Sequence, residues 1–189
     1  MQIDLSGQLV EFFGTINPVS TALEEALVAN GATPGAASAP HILVVSLPLL
    51  PEAGIEIEPA LRRAEAAAIA MSAGDGGRIV FLLSAMAGLP TRRHADYSAR
   101  MAMVLATLRG LAMAHGPKVL VNAVGAGAIG EPAVAGDPVF VGHTGLGRAG
   151  TVADVVATAL FFCDPLNSYT TGQMLSVDGG WSVGYGRSF

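Results

Sequence analysis

Apolar positions fall in short blocks separated by polar or glycine-rich stretches, and continuous runs alternate with segments of helical spacing along the chain. Leu9 to Phe13 is a brief apolar run closed by Gly14 and predicts a strand. Val19 to Ala29 has helical spacing, with Glu24 and Glu25 directed outward and Asn30-Gly31 as its stop. Ala32 to Pro40 has the composition of a loop. Ile42 to Ser46 predicts a buried strand that Pro48 and Pro51 end. Ile57 to Ser72 predicts an alanine-rich helix with Arg62, Arg63 and Glu65 on its wet side, broken by the glycines from Gly74 to Gly77. Arg78 to Leu83 is a third strand, Asp96 to His115 a long helix apolar on several faces, and Val119 to Val124 a fourth strand entering a glycine-rich loop that runs to Gly147. Val152 to Phe162 closes the helices, and Gln173 to Val177 is a last strand before Asp178-Gly179-Gly180. This alternation predicts one α/β domain over residues 1–189 with a mostly parallel sheet, without internal repeat or second domain.

Composition narrows the function classes. With 51% hydrophobic and 13% charged residues and a net charge of −5, the chain offers no basic stripe for a polyanion, and no nucleic-acid partner is expected. Mean hydropathy is high at +0.52, yet no window reaches the roughly 18 unbroken apolar residues of a membrane span, so no membrane partner is expected. The start of the chain has neither a basic nor an apolar leader region, and a cytoplasmic location is expected. Cys163 is the single cysteine, which excludes an internal disulfide framework, and His41, His94, His115 and His143 lack metal-ligand spacing.

Between Gly77 and Trp181 an ordered series of short motifs stands out. Gly77-Arg78-Ile79-Val80 enters a strand ending at Ser84, Tyr97 follows 13 residues later, and then comes Val121-Asn122-Ala123-Val124. Gly145-Leu146-Gly147-Arg148, Asp154-Val155, Thr171-Gly172-Gln173 and Val177-Asp178-Gly179-Gly180-Trp181 complete the series. In this order the chain resembles the short-chain dehydrogenase/reductase family, and the stretch from Leu5-Ser6-Gly7 to Gly31 looks like that family's first strand, turn and helix. The resemblance implies a Rossmann-like, doubly wound parallel sheet. It also implies truncation. Family members place two further strands and two helices, on the order of 50 residues, where this chain has only Ala32 to His41. The second and third strands with their helices are therefore expected to be missing, and with them the residue that reads the adenosine ribose.

Departures from the family pattern fall on the chemistry. The family's phosphate turn presents three glycines, and here only Gly14 remains, with Pro18 and Ser20 at the other two positions. Proline removes an amide donor, so phosphate binding is expected to be badly weakened. The resemblance assigns Ser84 as the hydroxyl that orients substrate and Tyr97 as the general acid or base. The lysine that would lie four residues on is Met101. Without that cation, a tyrosine titrating near pH ~10 is phenolate in about one molecule per thousand at neutral pH. No Asn occurs between Glu52 and Ala70 for the family's tetrad, and Glu131 stands where a threonine holds the nicotinamide carboxamide.

Ser84 and Tyr97 accordingly read as vestigial, hydrogen-bonded in the interior. Gly14 reads as a turn glycine, and Arg92-Arg93-His94 as a solvated loop before an anion site. The expectation is a non-catalytic subunit holding no cofactor or metal of its own, paired with a full-length active short-chain dehydrogenase that carries NAD(P) and oxidises a secondary alcohol or reduces a ketone. Pairing would use helices 57–72 and 96–115, whose residues Ala102, Val104, Leu105, Leu108, Leu111 and Ala112 cover more circumference than one core contact needs. It would also use the last helix and strand. A tail from Trp181 to Phe189, with Tyr185 and Arg187, would reach the partner's substrate pocket. The alternatives are a residual enzyme using Ser84 and Tyr97 without nicotinamide, and a small-ligand binding module.

Overall fold

A computed structural model describes residues 1–52 and 54–184. Six strands form one all-parallel sheet in the order β2-β1-β3-β4-β5-β6. The strands are β1 (Leu9–Gly14), β2 (Thr33–Pro34), β3 (Ile42–Ser46), β4 (Gly77–Ser84), β5 (Val119–Ala126) and β6 (Met174–Val177). The helices are α1 (Pro18–Ala29), α2 (Glu58–Ala73), α3 (Ala95–His115) and α4 (Val152–Cys163). Successive residues of β3, β4 and β5 alternate between two apolar layers. Leu43, Val45, Ile79, Phe81, Leu83, Val121 and Ala123 pack beneath α2 and α3. Ile42, Val44, Val80, Leu82, Val124 and Ala126 pack beneath α1 and α4. Covering both faces explains why these strands read as unbroken apolar runs.

The Rossmann-like sheet predicted from sequence is present, and so is its truncation, with two corrections. The segment from Ala32 to Pro40 is not entirely loop. Thr33 and Pro34 pair in parallel with Leu9 and Val10, so a two-residue second strand survives. Proline suits this place, because an edge strand has no outer neighbour waiting for its missing N–H. Beyond Val10 the edge of β1 is covered by a charged clamp. Glu11, 8% exposed, receives two N–H donors of Arg63 from α2, at 2.7 and 2.6 Å, and the Ala37 amide at 3.1 Å, while Arg63 also donates to the Ala37 carbonyl. A buried carboxylate in mid-strand is tolerated because every bond it needs is supplied.

The second correction concerns α3. Val104, Leu105, Leu108, Leu111 and Ala112 are buried in this chain's own core, and only Ala102 is partly open. The wide apolar circumference is occupied by α2, β5 and the 3₁₀ turn Ala85–Ala87, so it does not by itself signal a partner.

β1 leads to β2 on one side and, through the chain that follows, to β3 on the other. The strand order therefore reverses between β1 and β3, and the crevice at their carboxyl ends is where ligands sit in open parallel sheets.

Candidate active site

The β1–α1 turn forms the first wall of that crevice. Gly14 has φ +108°, and a side chain there would collide with the Ser46 carbonyl of β3, so glycine is required by close backbone approach. Of the donors that follow, all but the exposed Ile16 amide are already used. Thr15 N–H bonds Ser46 O at 2.8 Å, Val19 and Ser20 N–H both bond Asn17 Oδ1 at 3.0 Å, and Asn17 N–H bonds Ser20 Oγ at 2.9 Å. Thr21 N–H bonds Asn17 O at 3.0 Å, and Pro18 has no N–H at all. Asn17 and Ser20 thus form a reciprocal cap that satisfies the helix start from within. The adjoining cavity of about 330 Å³ contains the side chains Phe12, Phe13, Thr21 and Glu24 but no cation. Neither the amide accounting nor the charge fits a pyrophosphate.

The second wall is Leu47-Pro48-Leu49, after β3. Leu47 drops into the α2/α3 layer and Leu49 into the α1/α4 layer, both nearly inaccessible. The Pro48 carbonyl accepts the Tyr97 hydroxyl at 2.7 Å, and the Leu49 carbonyl accepts the Gly136 amide at 2.8 Å. This segment is tied to α3 and to the loop after β5 at once.

Ser84 ends β4, and Tyr97 sits in the first turn of α3, so the pair is brought together as the sequence spacing requires. Both are sealed, with Tyr97 3% and Ser84 1% exposed. Ser84 Oγ accepts the Met86 amide at 3.2 Å and caps the 3₁₀ turn beside it. Burial raises the Tyr97 phenol well above its ordinary value; the nearby Ser84 hydroxyl lowers it in part and the Glu52 charge adds to the rise. Met101 lies one turn further along, fully buried in the α2/α3 layer, where an ammonium would have no water. As arranged, the phenol is a hydrogen-bond donor to the backbone and a very weak acid.

Sequence reading did not anticipate what fixes the loop above this centre. Asp137, 7% exposed, caps the 3₁₀ turn Pro138–His143 through the Val139 amide and pairs with His94 at 2.9 Å and Arg93 at 3.3 Å. The Arg93 and His94 side chains thus tie this loop to the start of α3, although Arg92 and Arg93 stay exposed as a solvated loop would have them. Asp137 lies 43 positions from His94, so no local motif reveals the pairing. Phe140 stacks on Trp181 with centroids 4.8 Å apart. Trp181 therefore contacts its own chain, while Tyr185, Arg187 and Phe189 lie outside the described residues. Asn122 bridges β5 to the segment before β6, donating to Thr170 O at 2.7 Å and accepting from the Gln173 amide at 3.1 Å. Cys163 is wholly buried, its thiol pushed up to about 12 by burial, and is chemically inert. Among the described residues no cluster of His, Cys, Asp and Glu could hold a metal ion, and no helix is long and apolar enough to cross a membrane.

Comparison with known proteins places this geometry in a family. The family model described as Enoyl-(Acyl carrier protein) reductase matches residues 55–182. A tropinone reductase homolog of Arabidopsis thaliana is 29% identical over 135 residues, covering 67% of this chain and 52% of the relative. The 2,5-dichloro-2,5-cyclohexadiene-1,4-diol dehydrogenase of Sphingobium indicum is 32% identical over 114 residues, covering 57% of this chain and 46% of the relative. The chain thus spans about half the length of the curated relatives it matches. In fold it is similar to the Burkholderia cenocepacia gluconate 5-dehydrogenase solved with NADP and tartrate, at TM-score 0.77 and 18% identity, covering 95% of this chain and 97% of that one. The ligand-free aldohexose dehydrogenase of Thermoplasma acidophilum gives TM-score 0.75 and 18% identity over 100% of this chain and 99% of that one. The chain belongs to the short-chain dehydrogenase/reductase family of oxidoreductases.

Proposed function

We propose that this chain is a non-catalytic member of its family, a subunit that pairs with a full-length active short-chain dehydrogenase and leaves NAD(P) binding and turnover to that partner. One observation carries the reading: the Tyr97 hydroxyl, which would have to exchange a proton with substrate, is buried and donated to the Pro48 carbonyl, with Met101 in place of the activating cation. The self-capped β1–α1 turn supports it, since a dinucleotide would find nearly all its phosphate donors spent. The partner's reaction is oxidation of a secondary alcohol or reduction of a ketone, in keeping with the dehydrogenases and reductases among the relatives. A cytoplasmic setting suits the single buried thiol.

The surfaces left for pairing are narrower than the helices suggested. On α2 and α3 the large exposed apolar side chains are Ile69, Met103 and Met113, and on α4 and β6 they are Phe161 and Leu175. A residual enzyme working through Ser84 and Tyr97 would need the sealed phenol to open.

Calorimetric titration of the isolated chain with NAD(H) tests the reading, together with co-expression beside an active relative from the same genome. No heat of NAD(H) binding and co-purification at fixed stoichiometry are expected. Micromolar affinity for the isolated chain overturns it.

A further inference from the structure

A second cavity, of about 370 Å³, opens at the opposite end of the sheet from the catalytic crevice, at the amino ends of β1, β3, β4 and β5. Gln8, His41, Arg78 and Lys118 line it, with Asp75 as its acid. Lys118 is the only lysine of the chain. By strand alternation Gln8, Arg78 and Leu120 share a face with Val10, Val80 and Val124, so Arg78 occupies the lowest position on β4 beneath the apolar Val80 and Leu82.

The cations here differ in what they do. Lys118 Nζ donates to the Ser72 and Gly74 carbonyls, at 3.0 Å each, and covers the negative end of α2. His41 Nδ1 accepts the Leu9 amide at 2.8 Å, so the neutral ring carries its proton on Nε2. Arg78 is half-buried and makes one side-chain bond, Nη2 to the Pro165 carbonyl at 2.9 Å. Among the described residues no carboxylate lies within 4.0 Å of it, and Asp164 acts on it only at longer range. The guanidinium has five donors and spends one on Pro165; the others keep solvent access from the cavity, where an anion would replace water. Its planar fork suits a tetrahedral oxyanion held by two parallel bonds.

We propose that this cavity is an anion site in which Arg78, with Lys118 and His41 Nε2–H at its margin, binds a phosphate dianion, free or as a small monoester. The site lies at the end of the sheet away from the crevice, and the proposal does not rest on pairing with an active relative.

Thermal unfolding and ³¹P NMR of the whole chain test it, with inorganic phosphate and glycerol phosphate as separate probes against chloride at matched ionic strength. A saturable rise in Tm and broadening of the phosphorus signal are expected with at least one probe. Response to glycerol phosphate alone identifies a monoester site, and response to both a site for the phosphate group itself. Arg78→Met should weaken binding at least about tenfold. Arg78→Lys, which keeps charge and stem and so guards against misfolding, should weaken it several-fold, and Arg109→Met on the exposed side of α3 should change nothing. Chloride raising Tm as much as phosphate, or both Arg78 variants binding like the parent, overturns the proposal.

Discussion

Tyr97 keeps its place in the fold with its hydroxyl sealed and bonded to the backbone. Its phenol is held by burial, and its proton is committed to Pro48 O at 2.7 Å. Tyr97→Phe leaves that carbonyl without its donor and should lower stability by about 1 kcal/mol in denaturant unfolding. The activity of a reconstituted complex should be nearly unchanged, whereas participation in chemistry would cost on the order of a hundredfold. The raised phenol also sets a pH dependence. Below its unfolded value near pH ~10 both states keep the proton and the contribution to stability is complete. Above it the unfolded chain releases the proton first, so stability should fall as pH rises, visible as a falling Tm that Tyr97→Phe flattens. Met101→Lys should cost a few kcal/mol, roughly the penalty of an unpaired buried ammonium. It should restore no NAD(H) heat in calorimetry, because nearly all the phosphate donors of the β1–α1 turn remain spent.

At the scale of elements, the truncated crossover is the feature that needs explanation. Removing two strands leaves β1 near the sheet edge, and an open edge invites pairing with other chains. Thr33-Pro34 covers two residues of that edge, and the Glu11–Arg63–Ala37 clamp fastens the rest to α2. Arg63→Met strands a carboxylate that is 8% exposed and should destabilise by about 3 kcal/mol, with aggregation in light scattering. Arg63, foremost, holds the Glu11 carboxyl below its ordinary range. Its contribution is therefore present above the unfolded value near pH ~4.3 and disappears as pH falls through the lower folded value. In Arg63→Met, which is less stable at neutral pH, the acid limb of the Tm profile should be shallower than in the parent, because burial without the guanidinium no longer holds the Glu11 carboxyl low. The strand and helix positions were legible in the sequence to within a few residues, because continuous apolar runs and a period of about 3.6 report burial directly. The clamp was not, because Glu11 and Arg63 lie 52 positions apart and each alone reads as a solvated charge.

For the whole molecule, the two ends of the sheet have divergent fates. At the carboxyl end the chain itself seals the Tyr97 centre, through the Leu47–Leu49 segment, the Asp137 ties to Arg93 and His94, and the stacking of Phe140 on Trp181, while cavities of about 330 and 700 Å³ stay open beside the β1–α1 turn and at the end of β6. The amino end keeps an open, cation-lined cavity. If pairing with an active relative is the retained role, hydrogen exchange should show new protection on complex formation over Phe161 or Leu175, or around Ile69, Met103 and Met113. The amides of the β1–α1 turn should not change on addition of NAD(H) to the isolated chain.

The order of strands and helices, the family pattern and the loss of lysine and glycines were determined by the linear sequence, since each depends on residue identity and short-range spacing. Whether Tyr97 is reachable, what its hydroxyl bonds, which apolar face of α3 is core, and how a shortened sheet protects its edge were decided only in three dimensions. Those properties arise from contacts between residues tens of positions apart, and no local period records them.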